Sequence, residues 1–150
     1  MKCRYKYCKN NNQVDKSEAI KVGNAYYCKE CYKEKTLKQQ IEKYYLDNFP
    51  QTTIQILRKV INELLYKNNY EAEYILFILE KIYNNKLKLN NPFGIKSYCN
   101  EGRNIDEWNK IKINKKFNKM KRQFNQYDIK NDNIVHFTYK SNNKKWTDII

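Results

Sequence analysis

Apolar positions mark three helices in the first two thirds of the chain. Ile54, Leu57, Val60, Ile61, Leu64 and Leu65 recur at i, i+3, i+4, i+7 spacing, the stripe of an amphipathic helix. Thr52 or Thr53 supplies its N-cap, and Asn68-Asn69 stops it. From Glu71 to Tyr83 the apolar set Ala72, Ile75, Leu76, Ile78, Leu79, Ile82 and Tyr83 is joined by Tyr74 and Phe77. A helix apolar almost all round predicts the centre of the core, and Asn84-Asn85 ends it. Upstream, Lys29 to Tyr45 lacks Gly and Pro and is rich in helix formers. Tyr32, Leu37, Ile41, Tyr44 and Tyr45 fall near helical spacing there. This helix ends at about Leu46, before Asn48-Phe49-Pro50, because the residue preceding a proline avoids the helical region.

After the turn Pro92-Phe93-Gly94, residues 93–99 read as a short helix. Asp106 or Asn104 then caps a long basic helix from Ile105 to about Asn125. On a helical wheel Ile113, Phe117, Met120 and Phe124 fall within about 60° of one another. Lys115, Lys119 and Arg122 lie opposite, with Lys112 and Lys116 on one flank. Trp108 and Ile111 sit on the other side of that wheel, so the helix bends or changes packing partner near Lys112. Residues 134–139 are β-branched and aromatic, a strand by propensity. Ser141-Asn142-Asn143 is a turn, and residues 144–150 close the chain. This end forms a short hairpin, or else a tail in which Trp146, Ile149 and Ile150 need a cover.

The N-terminal segment follows a different logic. Ser17–Val22 and Ala25–Tyr27 flank Gly23-Asn24, a β-hairpin with a two-residue turn. Around it stand Cys3 and Cys8, spaced Cys-x4-Cys, and Cys28 and Cys31, spaced Cys-x2-Cys. Two short cysteine pairs separated by a loop supply four thiolates for a tetrahedral Zn²⁺. Such an all-thiolate site is closed to water and substrate, which makes the expected Zn²⁺ structural. Disulfides are the alternative, but Met-Lys-Cys-Arg-Tyr-Lys carries no apolar stretch and no signal peptide is expected. The odd thiol, Cys99, fits a reducing compartment and reads as a half-buried core cysteine. His136 is the sole histidine and is not needed for the metal.

With 150 residues, the chain divides into a zinc finger with its helix (1–46), a helical domain (47–126) and a C-terminal strand or tail (127–150). The fold class is mainly α: an N-terminal four-cysteine treble clef with a β-hairpin, a small helical bundle, and a possible C-terminal hairpin. The zinc unit is too small to stand on hydrophobic burial, so metal binding supplies its folding energy. No apolar segment approaches the roughly 20 residues of a membrane span, and a soluble, cytoplasmic protein with no membrane partner is expected.

The formal net charge is +14, from 30 Lys and Arg against 16 Asp and Glu. Such an excess attracts phosphate backbones. It also suits docking on an acidic protein, and Lys, Asn, Ile and Tyr all have A/T-rich codons. Catalytic signatures are missing. The three glycines form no phosphate loop, one histidine supports no nucleophile-base pair, and Glu71, Glu73, Asp106 and Glu107 read as solvated charge.

Three features suit binding. Lys112, Lys115, Lys116, Lys119 and Arg122 can reach consecutive phosphates, or form a solvated face. Arg4, Lys6 and Lys9, interleaved with Tyr5 and Tyr7, can present a basic, base-stacking surface, whereas Tyr26, Tyr27 and Tyr32 pack the finger. Trp146, Ile149 and Ile150 suit a docking peptide for a partner protein, or a packed strand.

Residues 1–45, with Lys-Val-Gly-Asn-Ala-Tyr-Tyr-Cys-Lys-Glu-Cys-Tyr at their heart, resemble treble-clef or LIM-like zinc-finger proteins of phages and mobile elements in Gram-positive bacteria. The Cys-x4-Cys knuckle departs from their commoner Cys-x2-Cys. Residues 64–108, from Leu-Leu-Tyr-Lys-Asn-Asn-Tyr to Trp108, look like DnaD-type helical domains of replication-initiation proteins, which implies DNA binding. The expectation is a non-enzymatic, zinc-stabilised, nucleic-acid-binding accessory protein with DNA or RNA as partner. The alternative is a phage-type module that binds and inhibits or redirects a host complex, such as a polymerase or defence nuclease.

Overall fold

The computed structural model describes residues 1–130, with side chains through residue 123. The C-terminal strand and turn expected over 134–150, with His136, Trp146, Ile149 and Ile150, lie outside the described residues. The chain divides into two compact units, residues 1–110 and residues 111 onward.

Strands β1 (Ile20–Val22) and β2 (Ala25–Tyr27) form the antiparallel hairpin, with Val22 opposite Ala25 and Ile20 opposite Tyr27. Gly23 takes φ +57° at the first central position of the turn, where a residue without Cβ is strongly favoured. Helix α1 (Lys29–Asn48) runs two residues beyond the expected stop, and the N–H of Phe49 still reaches the Tyr45 carbonyl. Only at Pro50 does the missing donor end the ladder.

Helix α2 (Ile54–Asn62) starts at Thr53, whose carbonyl accepts from Ile56 and Leu57 while its side chain makes no cap bond. Its expected last turn differs. Residues Glu63–Lys67 form a π-helical turn, closed by Asn68 N–H to the Glu63 carbonyl at 3.0 Å. The extra residue per turn keeps Leu64 and Leu65 buried and changes where Tyr66 points. Helix α3 (Ala72–Asn84) buries Ala72, Tyr74, Ile75, Ile78, Leu79 and Ile82, while Tyr83 stays exposed. It packs mainly on α1, with Ile41, Tyr45, Leu57 and Ile61 completing a closed core.

A 3-10 turn (Pro92–Gly94), capped by the Asn91 side chain accepting from Gly94 N–H, leads into α4 (Ile95–Asn100). Cys99 on α4 is fully buried rather than half-buried. Helix α5 (Gly102–Lys130) begins earlier than expected. The Glu101 carbonyl accepts from Asn104 and Ile105, so neither Asn104 nor Asp106 is the cap. Asn104 is instead buried, its Nδ2 donating to the Tyr98 carbonyl at 2.8 Å and to Glu101 Oε2 at 3.2 Å. Trp108 is also buried, against Tyr74 and Phe77, and its indole N–H donates to Glu71. Burial along α5 ceases at Lys112; residues 113–123 are all exposed.

Candidate metal centre and basic surfaces

The N-terminal loop is pinned from both sides. Cys3 N–H donates to the Asn12 carbonyl at 2.7 Å, Arg4 N–H to Tyr26 at 2.9 Å, and Val14 N–H to Met1 at 2.9 Å. Asn11 and Asn12 make the return with φ of 47° and 59°, a region asparagine tolerates better than most residues. Cys8 N–H closes a tight turn on the Tyr5 carbonyl. On the other side Cys28 is the last residue before α1 and Cys31 lies in its first turn, where the helix dipole favours negative charge.

These restraints bring Cys3, Cys8, Cys28 and Cys31 together, with all four sulfurs within 4.8 Å of one another. The Cys8 and Cys28 sulfurs are 3.6 Å apart, far beyond a disulfide bond, and all five cysteines are free thiols. Four thiolates each at about 2.3 Å from one ion stand about 3.8 Å apart. Cys3, Cys28 and Cys31 are buried and Cys8 partly so. The Cys28 backbone N–H points at Cys3 Sγ, 3.4 Å away.

Electrostatics support the same assignment. Burial, reinforced by Cys8 and Cys3, pushes the Cys28 thiol up to about 11 and raises Cys31 further. Cys8 moves the other way: against its own burial, the Asn10 backbone N–H and the three neighbouring thiols bring it down to about 7. The cluster therefore resists carrying several negative charges unless a cation shares them. A metal ion fits, and a bound ion would act as a four-way cross-link between knuckle, hairpin and α1.

Next to the metal ligands lies a polar-aromatic cluster that joins the finger to the helices. Tyr5 O–H donates to Glu34 at 2.8 Å and lies 2.8 Å from the Tyr66 hydroxyl, which also donates to Glu34. Lys38 donates to Asn62 at 2.6 Å, and its ammonium sits 5.0 Å from the ring centroids of both Tyr7 and Tyr66. Burial lowers Lys38, while Glu34 and Glu42 pull it back up. Tyr5 is buried and Tyr7 half-buried in this cluster. The Glu34/Lys38 pair at i, i+4 on α1 was a visible signal for this cluster; the third member, Tyr66, depends on the π-helical turn.

The basic residues of the knuckle, Arg4, Lys6 and Lys9, are exposed. On α5, Lys115, Lys116, Lys119 and Arg122 are exposed and Lys112 is half-buried. Ile113, Phe117 and Met120 are exposed on the same helix. The carboxylates read as surface charge have local partners: Glu73 pairs with Lys33 at 2.7 Å, Glu107 with Lys81, and Glu71 accepts from Trp108. Glu30, Glu34, Glu71 and Glu73 line an open cleft of about 650 Å³ together with Lys9 and Lys33. Among the described residues, no helix is long and apolar enough to cross a membrane. No protein-family model, curated protein or solved structure matches this chain.

Proposed function

We propose that the chain is a non-enzymatic nucleic-acid-binding accessory protein of a phage or mobile element, stabilised by a structural Zn²⁺. The observation that carries this reading is the one-signed face of α5. From Lys110 to Arg122 there are seven basic residues and no acidic one, and Lys115, Lys116, Lys119 and Arg122 are exposed. Ammonium and guanidinium groups at this spacing meet successive phosphates and give affinity with little sequence information. Arg4, Lys6 and Lys9 form a second basic surface on the metal knuckle. Four thiolates within 4.8 Å of one another favour Zn²⁺, which is redox-inert and commonly closed in structural sites.

The test is a salt titration of binding to short single- and double-stranded DNA and RNA by metal-loaded protein. About five phosphate contacts give a log–log slope near −4 to −5 on duplex DNA. Replacing Lys112, Lys115, Lys116, Lys119 and Arg122 with Glu abolishes binding under this reading. Unchanged binding after that replacement overturns the role of α5.

A second reading, a module that docks on a host protein complex, draws support from the exposed Ile113, Phe117 and Met120. It predicts weak nucleic-acid binding that does not distinguish one form from another.

A further inference from the structure

Where α1 meets α2 beside the knuckle, an open cavity of about 250 Å³ is lined by Lys35, Lys38 and Glu42 of α1, by Arg58 and Asn62 of α2, and by Tyr5. Steps of three and four residues return to one side of a helix, which gathers the first three on α1 and the next two on α2. The one carboxylate in this lining is already committed. Arg58 Nε and Nη2 donate to the two Glu42 oxygens at 3.0 and 3.1 Å. The two lysines are held by neutral groups instead. Lys35 donates to the Tyr27 hydroxyl at 3.0 Å, and its ammonium stands 4.4 Å from that ring's centroid. Lys38 is half-buried, donates to Asn62 Oδ1 and lies among the rings of Tyr5, Tyr7 and Tyr66. Among the described residues neither lysine has a carboxylate at ion-pair distance. Glu34, covered by the Tyr5 and Tyr66 hydroxyls, acts on Lys38 only from farther off. Neutral acceptors and ring faces fix an ammonium in place without cancelling its charge.

We infer that Lys35, Lys38 and Arg58 form a binding site for a single phosphate group, separate from α5. The cavity is smaller than a site for a drug-sized molecule and suits one compact charged group. Phosphate matches the lining better than a carboxylate does, because its several oxygens and higher charge can engage three cations at once. Arg58 is exposed and its planar fork can turn from Glu42 to two phosphate oxygens. Asn62 spends its Oδ1 on Lys38, which leaves its amide N–H groups to donate. The phosphate belongs either to a nucleic-acid strand or to a free phosphate or mononucleotide. The site does not depend on the role of α5.

Backbone amide NMR of the full-length, metal-loaded protein at constant ionic strength tests it. The probes are inorganic phosphate, a mononucleotide, and a short single-stranded DNA without terminal phosphates. Amides of residues 35–42 and 58–62 shift and saturate with inorganic phosphate. Lys35→Gln weakens this binding by about 10-fold. Glu42→Gln removes the competing carboxylate and tightens it by about 3-fold, an effect that a merely structural role would not produce. Circular dichroism and metal content verify that both variants fold. Displacement of phosphate by the oligomer assigns the site to a strand, whereas displacement by the mononucleotide alone assigns it to a free ligand. No saturable shift at these residues with any probe, or the same shift with chloride, overturns the site. That result leaves α5 untouched, because residues 112–122 report on their own binding. Affinity unchanged by Lys35→Gln, or weakened by Glu42→Gln, overturns the assignment of these side chains.

Discussion

Tyr7 and Tyr66 stack face to face, with ring centroids 3.8 Å apart and planes 18° from parallel. Tyr7 belongs to the loop that Cys3 and Cys8 close, whereas Tyr66 belongs to the π-helical turn after α2. The stack therefore ties the four-cysteine cluster to the helical body, and an ion bound by those cysteines would also hold Tyr7 in place. The helices keep a core of their own, with Ile41, Tyr45, Leu57, Ile61, Ile75 and Leu79 fully buried. Metal chelation is predicted to melt the finger and spare most of the helix signal. Loss of the stack and its neighbours, about 1–2 kcal/mol, lowers the Tm by roughly 5–10 °C. Emission from Trp108, which rests on Tyr74 and Phe77, should hardly move. Circular dichroism and fluorescence during chelation check this; simultaneous collapse of both signals would show that the helical core depends on the finger.

The two roles of Tyr66, ring and hydroxyl, can be separated. Tyr66→Phe keeps the stack on Tyr7 and the contact with Lys38 but removes the hydroxyl bonded to Glu34 and near Tyr5. Glu34 retains Tyr5 as a donor, so the cost is about 1 kcal/mol. Tyr66→Ala removes the ring as well and leaves the partly buried Lys38 poorly covered, costing about 3 kcal/mol. Urea midpoints of the two variants measure the difference. Equal losses would assign the whole contribution to the hydroxyl.

The hairpin turn offers a test of folding linked to metal. Gly23 has φ +57° and open space where a Cβ would stand, so Gly23→Ala meets conformational strain but no clash. That strain is about 1 kcal/mol. If folding of the finger is coupled to metal binding, the loss appears as weaker metal affinity, about 5-fold. Competition with a chromophoric chelator reads it out directly. An unaltered affinity would mean that the finger is folded before the metal arrives.

The cysteine spacing and the apolar stripes of α2 and α3 made the finger and the bundle legible, because thiol pairs and helical periodicity are local patterns. The departures come from tertiary competition. The π-helical turn at Glu63–Lys67 follows where Leu64 and Leu65 find burial, which a helical wheel does not contain. Tyr5 and Tyr7 interleave with Arg4 and Lys6 in sequence, and their partners Glu34, Lys38 and Tyr66 come from distant elements. Asn104 has the chemistry of a cap, but its amide finds the Tyr98 carbonyl inside the fold. In each case a side chain with two chemically sound uses was taken by the one that a distant residue completed.

Cys99 has no exposed surface, and Tyr74 O–H donates to its carbonyl at 2.9 Å. Burial pushes its thiol up to about 12 from an ordinary value of 9.0. Reactivity follows the thiolate, so at pH 8 only ~10⁻⁴ of Cys99 is nucleophilic in the folded protein, against ~10⁻¹ for an ordinary thiol. A thiol reagent should therefore find four reactive cysteines after chelation and the fifth only after unfolding. The same displacement makes stability depend on pH. Below about 9 the folded and unfolded chains both keep this proton, and the contribution of the buried neutral thiol is fully present. As pH rises further the unfolded chain loses its proton first, so stability declines between about 9 and about 12. Cys99→Ala should flatten this alkaline limb, while leaving a small cavity that costs about 1 kcal/mol at neutral pH. Tyr74, raised chiefly by its own burial, preserves part of the slope in both proteins. Urea midpoints at pH 8, 9, 10 and 10.5 decide the matter, since parallel limbs for the two proteins would mean that the folded Cys99 thiol ionises as freely as an exposed one.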